Sequence, residues 1–139
     1  FIEGDRFHLP TSIEKMSAGI PLTDEDRWPW LERVGQEIAH VAKAGAPVVC
    51  ACSALKRGYR DVLRRSAGLP LTFVYLEGAR ELIAERMADR TGHFFAPSLL
   101  DSQFAALEPP GKGEDFVRAD LRLPIGEMVE RVAEELECS

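Results

Sequence analysis

Three polar segments follow short apolar runs typical of strands, and they carry the side chains best suited to chemistry. They cover residues 3–8, 53–56 and 77–80. In a parallel sheet the carboxyl ends of the strands meet at one edge, where ligands bind. In the first segment, Asp5 is a candidate general base or hydroxyl-orienting group. The alternative is that Asp5 only caps a helix or occupies a turn.

The second segment leads into a strongly basic stretch. Residues 56–65 contain five basic residues and one acidic residue, in a chain whose net charge is −6. Lys56, Arg60 and Arg64 are spaced four residues apart, so they share one face of a helix. We expect Ser53 and Lys56 to open this helix, where unpaired backbone N–H groups favour an anion. The alternative is an ordinary solvated helix face.

A pair of arginines precedes a glycine with aromatic neighbours. Arg86 and Arg90 are four residues apart and lead into the segment 91–95, which contains His93. Two guanidinium groups ahead of a glycine hinge are suited to a lid that closes on a phosphate. We place this lid at residues 80–108. Cations at a helix C-terminus are equally expected from the helix dipole alone.

The elements that must position these residues alternate between strands and helices. Residues 47–52 and 71–76 are nearly continuous apolar runs, which predict strands buried on both faces of a parallel sheet. Weaker strand patterns cover residues 1–2 and 115–119. Alternation of strands with helices predicts an α/β fold, a parallel β-sheet flanked by helices with right-handed crossovers.

The helices are predicted from apolar spacing and from residues typical of helix ends. An apolar stripe predicts a helix that begins at Pro29 and ends at Gly45. Thr11 and Glu14 have the spacing of a capping box, which predicts a short helix over residues 12–17. Further helices are predicted around residues 59–63, 82–87, 97–107 and 125–136.

Composition excludes several classes of protein. A chain of 139 residues with 45% hydrophobic residues is expected to form one globular domain, residues 1–139. Its acidic balance argues against a nucleic-acid partner, and no apolar run approaches the ~20 residues of a membrane helix. Three cysteines predict a reduced, cytoplasmic chain, and the histidines lack metal-ligand spacing, so no metal site is predicted within these residues.

Several of these segments together resemble the gluconate kinases, small P-loop kinases related in fold to shikimate and adenylate kinases. The matching segments occur in family order over nearly the whole chain: Gly4-Asp5 with His8, residues 13–16 through Gly19, Pro21-Leu22, residues 24–27 to 29–31, Cys52-Ser53-Ala54-Leu55-Lys56 with Tyr59-Arg60-Asp61, Gly92-His93-Phe94-Phe95, Gln103-Phe104 and Leu107-Glu108-Pro109. Leu9, Ser12 and Thr91 depart from the family pattern.

The resemblance implies a function and a role for each candidate residue. The activity would be transfer of the γ-phosphoryl group of ATP, with Mg²⁺, to D-gluconate, giving 6-phosphogluconate. Asp5 would orient or deprotonate the attacking hydroxyl, and Arg86 and Arg90 would stabilise the transferring group and bind the cofactor ATP. The remaining candidates would bind substrate or nucleotide: Arg27, Lys56, Arg60 and Ser53 around the anionic groups, His8 and His93 on hydroxyls, and Pro124 near adenine.

The phosphate-binding loop of P-loop kinases has no counterpart in this sequence. No G-x-x-x-x-G-K-[ST] motif occurs between Phe1 and Ser139. We therefore expect a first strand, loop and helix of roughly 30 residues to be absent from the front of the chain. The resemblance also implies a homodimer, to which Trp28 and Trp30 could contribute. The rival hypotheses are a related kinase, such as a shikimate kinase, and a truncated variant without catalysis.

Overall fold

The structure is a computed structural model that describes residues 1–88 and 99–137. These residues pack as two compact units. The first unit contains residues 1–70 and 99–108, and the second contains residues 71–88 and 109–137. The expectation of one domain over residues 1–139 stays a prediction.

The first unit combines a short parallel strand pair with four helices and a 3₁₀ turn. Strand β1 (Ile2–Glu3) pairs in parallel with β2 (Cys50–Ala51), with Ile2 opposite Cys50. The 3₁₀ turn (Gly4–Phe7) follows β1 directly. The helices are α1 (Pro10–Ser17), α2 (Asp24–Lys43), α3 (Arg57–Ala67) and α5 (Leu99–Ala106).

Helix α2 begins earlier than the sequence pattern predicted. The side chain of Thr23 accepts a hydrogen bond from the backbone N–H of Asp26, and the Asp26 side chain accepts one from the Thr23 backbone N–H. This capping box sets the start at Asp24, so the predicted start at Pro29 is wrong. Pro29 lies inside the helix, on an exposed position.

Helix α1 also differs from its prediction. It begins at Pro10, which occupies the first helical position favoured by proline. Leu9 is therefore the N-cap, with no side-chain hydrogen bond, and the predicted capping box of Thr11 and Glu14 is not formed. Thr11 lies within the first turn, because a proline that fixes the helix start leaves no capping role for the residue after it.

The core of the first unit lies between α2 and α3. Trp30, Leu31 and Val34 of α2 are almost fully buried, as are Tyr59 and Leu63 of α3. These residues fall at the helical spacing that predicted both helices. The core therefore fixes which faces of α2 and α3 turn inward, and with them the functional side chains on those faces.

The second unit contains the longer strand pair. Strands β3 (Phe73–Glu77) and β4 (Phe116–Asp120) run parallel in a register that joins Phe73 to Phe116 and Glu77 to Asp120. Helix α4 (Arg80–Ala88) follows β3, and α6 (Ile125–Glu137) follows β4. The weak strand pattern at residues 115–119 is confirmed as β4.

The predicted burial of the strands on both faces is wrong for these residues. The run 47–52 forms only a two-residue strand, and Val49 is 64% exposed. In β3, Leu76 is 53% exposed. Each described sheet has two strands, so every strand is an edge strand, and only part of its side chains are covered. Within the described residues, no helix combines the length and apolar character needed to cross a membrane.

Candidate active site

Asp5 and His8 lie on and just after the 3₁₀ turn that continues β1. Gly4 opens this turn where the chain passes close to β2, because a Cβ atom at Gly4 would lie 2.5 Å from the carbonyl oxygen of Ala51. The Gly4 carbonyl in turn accepts a hydrogen bond of 2.8 Å from the indole N–H of Trp30. The turn is therefore fixed from both sides, by β2 and by the core of α2.

His8 is buried and stacked on the core. Its ring lies 4.0 Å from the Trp30 ring, with 19° between the two planes. Its Nε2 atom lies 4.0 Å from Oδ1 of Asp5, and its Nδ1 atom has no hydrogen-bond partner among the described residues. Burial, followed by the positive charge of Arg27, lowers the pKa of His8 to about 4. His8 is therefore neutral near pH 7, with one nitrogen that donates and one that accepts.

Arg27 is a buried cation on the first turns of α2. It lies three residues before Trp30, so both side chains are on the same face of the helix. Its guanidinium carbon lies 5.2 Å from the centre of the Tyr59 ring. The Nε atom is buried and has no hydrogen-bond partner among residues 1–88 and 99–137. Arg27 therefore keeps an unused N–H donor inside the protein, next to the neutral His8.

Lys56, Asp24 and Tyr59 form a cluster beside Arg27. The ammonium group of Lys56 donates to the Asp24 carboxylate at 3.3 Å and lies 5.7 Å from the Tyr59 ring centre. The phenol of Tyr59 also donates to Asp24. The hydrogen bond from the Tyr59 hydroxyl lowers the pKa of Asp24 against the opposing effect of burial, and Lys56 lowers it further, so this carboxylate stays charged.

The structure corrects the prediction for Ser53 and the basic face of α3. Helix α3 begins at Arg57 with Lys56 as its N-cap, and Ser53 lies in the preceding loop rather than at the helix start. Arg60 is only 2% exposed. Its Nη1 atom donates to the carbonyl oxygens of Ala54 and Leu55, at 2.9 and 3.2 Å.

Arg60 therefore holds the loop that carries Ser53, because its buried guanidinium group binds two successive, partly buried carbonyl groups of that loop. The segment after α5 also holds this loop, since the backbone N–H of Glu108 donates to the carbonyl oxygen of Leu55 at 2.7 Å. Arg64 pairs with Asp61 at 2.9 Å on the protein surface. The three cations at spacing four thus do not form one open anion-binding face.

In the second unit, the side chain of Arg86, a residue of α4, contacts the loop that ends at Pro124. Its Nη2 atom donates to the carbonyl oxygens of Leu121 and Leu123, at 2.7 and 3.4 Å. The structure therefore brings together two of the residues predicted to bind ATP, with Arg86 supporting the loop and Pro124 exposed at its end. Arg90 and His93 lie outside the described residues, as does the centre of the predicted lid, whose flanks are α4 and α5.

The described ranges, 1–88 and 99–137, contain no group of three or more His, Cys, Asp or Glu side chains able to hold a metal ion. Cys50 and Cys52 carry free thiols. Burial raises the pKa of the Cys52 thiol far above its usual range, and the charge of Asp5 adds to this effect. This thiol is therefore protonated and is not a nucleophile.

Sequence reasoning assigned no role to Asp24 and Tyr59, although both contact the predicted substrate-binding cations. A signal was present, because Tyr59 lies three residues after Lys56 on the same helix face. The apolar stripe of α3 explained Tyr59 as a core residue, which it also is. Nothing in the local pattern joins Asp24 to α3, since the two are far apart in the sequence.

Comparison with known proteins gives consistent relatives, although no protein-family model matches the chain. The chain is 46% identical over 133 residues to the thermosensitive gluconokinase of Escherichia coli (strain K12), covering 94% of this chain and 70% of that protein. It is 48% identical over 118 residues to the gluconokinase of Gluconobacter oxydans (strain 621H), covering 85% of this chain and 66% of that protein.

Two solved structures share the fold over almost the whole chain. A sugar kinase from Janibacter sp. HTCC2649, solved without ligand, matches with a TM-score of 0.89 at 46% identity, covering 99% of this chain and 79% of that one. A gluconokinase from Sinorhizobium meliloti 1021 matches with a TM-score of 0.79 at 49% identity, covering 99% and 80%. The predicted fold class, parallel strands flanked by helices as in P-loop kinases, is confirmed. By its identity to these relatives over most of their length, the chain belongs to the gluconokinase family.

Proposed function

We propose that this chain provides the gluconate-binding part of an ATP-dependent gluconokinase, which transfers the γ-phosphoryl group of ATP to D-gluconate and releases 6-phospho-D-gluconate and ADP. Family membership supports the reaction, since the relatives compared above are named gluconokinases or a sugar kinase. These names do not favour the rival hypotheses of a shikimate kinase or a non-catalytic variant.

The observation that carries the proposal is a pair of buried polar atoms without partners, next to a carboxylate. Nδ1 of His8 and Nε of Arg27 are both buried and unpartnered among the described residues. Leaving such a group unsatisfied costs about 1–3 kcal/mol, so native proteins rarely do so without reason. A bound polyhydroxy acid would supply the missing partners. Its hydroxyl groups suit the neutral His8, and its carboxylate suits the cationic Arg27.

Asp5 is the proposed group that receives the proton. The terminal hydroxyl oxygen of gluconate would attack the γ-phosphorus, forming a new P–O bond as the bond to the bridging oxygen of ADP breaks. The hydroxyl proton would pass to the Asp5 carboxylate, which lies on the turn fixed by Gly4 and Trp30. Phosphoryl transfer depends chiefly on positioning and charge stabilisation, so a rigid turn is a suitable place for this carboxylate.

The cations would divide the work between direct binding and support. Arg27 and Lys56 are proposed to receive the anionic groups of the substrate. The ion pair of Lys56 with Asp24 is partly exposed, so it is weak enough to be exchanged for a ligand carboxylate. Arg60 is proposed to act on the substrate through the loop of Ser53, whose carbonyl groups it holds.

The nucleotide side of the reaction is proposed from the resemblance. Arg86 and Pro124 would contribute to ATP binding in the second unit, where Arg86 supports the loop before Pro124. Roles for Arg90 and His93 in a lid are proposed on the same basis. The described residues offer no metal cluster and the sequence has no phosphate-binding loop, so the residues present do not fit the Mg²⁺–triphosphate group.

Location and assembly complete the proposal. We propose a cytoplasmic protein, which is consistent with the free thiols of Cys50 and Cys52. The homodimer implied by the resemblance remains a proposal, which sedimentation velocity tests. Trp30 would not contribute to a dimer interface, because it is buried in the core of the first unit.

The test is a coupled ADP-release assay with ATP, Mg²⁺ and D-gluconate, run on this chain and on a form extended by any residues encoded ahead of Phe1. Shikimate and D-glucose serve as control acceptors. In the active form, Asp5→Asn should lower kcat by about 10²–10⁴-fold, the usual contribution of a general base, while the far-ultraviolet circular dichroism is unchanged. If neither form acts on gluconate, the proposed reaction is wrong. A near-normal kcat for Asp5→Asn would instead remove Asp5 from the mechanism.

A further inference from the structure

Tyr59 lies where two cations and one carboxylate meet. It is 2% exposed. Arg27 and Lys56 both lie over its ring, with the guanidinium carbon at 5.2 Å and the ammonium nitrogen at 5.7 Å from the ring centre. Asp24 accepts the hydrogen bond of its hydroxyl group. One aromatic side chain therefore contacts every charged group of this cluster.

The ring itself is held in a fixed orientation. Its hydroxyl end is anchored on Asp24, and the Trp28 ring packs edge-on against it at 5.5 Å, with 79° between the planes. Burial and the Asp24 carboxylate raise the pKa of Tyr59 to about 12, so the phenol remains protonated and remains a donor. The negative face of a fixed ring is a defined place for a cation to rest.

The two cations need such a support, because other contacts do not orient them fully. The Nε atom of Arg27 has no hydrogen-bond partner in the described part of the chain. The bond from Lys56 to Asp24 is long, at 3.3 Å, and joins side chains that are 34% and 42% exposed. Contact with the Tyr59 ring leaves the N–H donors of both cations available to a ligand, whereas a further ion pair would occupy them.

We propose that Tyr59 is a positioning residue, whose ring orients Arg27 and Lys56 to receive the carboxylate of the substrate. This inference rests on the proposed function, because it identifies those cations as the binding site for the acid group. Tyr59 acts through the two cations and takes no part in proton transfer. Asp24 anchors the ring and keeps Lys56 near it until a ligand carboxylate takes its place.

The first test distinguishes the contribution of the negative ring face from the contributions of the ring's shape and of its hydroxyl group. Steady-state kinetics are measured for Tyr59→Phe, Tyr59→pentafluorophenylalanine and Tyr59→Leu in the active form of the enzyme. Tyr59→Phe keeps the ring face and should change KM for gluconate by less than about 3-fold. The other two variants invert or remove the negative face and should raise that KM by about 10-fold, with kcat and KM for ATP within about 3-fold of wild type.

The fluorinated variant keeps the ring volume, so it provides an answer even if Tyr59→Leu does not fold. The matched control is Tyr75→Leu, which removes a comparable contact, since the Arg118 guanidinium carbon lies 5.7 Å from the Tyr75 ring centre in the second unit. It should leave KM for gluconate unchanged. Equal KM values for Tyr59→Phe and Tyr59→pentafluorophenylalanine would overturn the proposal.

A second readout does not depend on gluconate. In the proton–nitrogen NMR spectra of wild type and Tyr59→Phe, the ring current at position 59 should shift the Nε–H resonance of Arg27. This shift should be absent in Tyr59→Leu, which has no aromatic ring there. If wild type fails to phosphorylate gluconate but shows this pattern, the proposed function is wrong while the positioning of Arg27 holds. If the Arg27 resonance is the same in all three proteins, Tyr59 does not position Arg27.

Discussion

The buried, neutral state of His8 should make folding depend on pH between 6.5 and about 4. In the folded protein the pKa of His8 is lowered from 6.5 to about 4, chiefly by burial against Trp30 and secondarily by Arg27. In the unfolded chain the same imidazole binds a proton below pH 6.5. Between these two values the unfolded state holds more protons, so stability falls as the pH falls.

The size of the effect follows from the difference between the two pKa values. Each pH unit inside the window changes the free energy of unfolding by about 1.4 kcal/mol. Lowering the pH from about 7.5 to about 5 should therefore remove about 2 kcal/mol, with about 1 kcal/mol more lost by about pH 4. The lowered pKa values of Asp24 and Asp26 act elsewhere, because their stabilisation is present above the ordinary value of 3.8 and is lost only below it.

The assay is urea unfolding followed by tryptophan fluorescence at about pH 7.5 and about pH 5. For a slope of about 2 kcal/mol per molar urea, wild type should lose about 1 M in its midpoint. His8→Gln removes the titrating group, so most of this pH dependence should disappear, whatever the variant's stability at pH 7.5. His40→Gln makes the same substitution at an exposed position of α2 and should keep the wild-type dependence. The reasoning is refuted if His8→Gln and His40→Gln lose equal stability on acidification.

Two further predictions concern packing and the Arg60 support. Gly35→Ala places a Cβ atom 2.5 Å from the Cβ atom of Ser66 and should lower the free energy of unfolding by about 1–3 kcal/mol. The control is Gly126→Ala, where no atom lies within 4 Å of the new Cβ atom and no such loss of stability is expected. Equal effects of the two variants in urea unfolding would contradict the α2–α3 packing. Arg60→Met leaves two loop carbonyl groups without their charged donor and should cost about 3 kcal/mol. If Arg60→Met unfolds at the same urea concentration as wild type, Arg60 does not hold this loop.

The helices and the second strand pair were predictable because their signals are local. Apolar spacing along α2 and α3 matches the buried faces, and the predicted end of α2 at Gly45 lies within two residues of Lys43. The helix starts were less predictable, since two local signals competed. At α1, Pro10 prevailed over the capping box pattern that begins at Thr11. At α2, the capping box of Thr23 prevailed over Pro29, which lies inside the helix, where a proline lacks the N–H of one backbone hydrogen bond.

The position of Asp5 was predictable because ligands bind at the carboxyl ends of parallel strands. The position of Arg27 was predictable only from the resemblance to the gluconate kinases. Burial of the strands was not predictable in the same way. The apolar run at residues 47–52 indicates a strand with two covered faces, but coverage depends on neighbouring strands and on helices brought in from distant parts of the chain. The exposed Val49 shows that a local pattern does not contain this information.

The cations show most clearly where reasoning from spacing stops. Spacing of four residues predicts that Lys56 and Arg60 share a helix face, but Lys56 is the extended N-cap of α3 and Arg60 is buried within the helix. Spacing also cannot show which donors the protein itself already uses. Arg60 and Arg86 donate to backbone carbonyl groups, so much of their binding capacity is committed to loops. Arg27 lies against the Tyr59 ring instead and retains a buried, unpartnered N–H group. Of Arg27, Arg60 and Arg86, Arg27 therefore keeps the donor capacity that our proposal assigns to binding the substrate carboxylate.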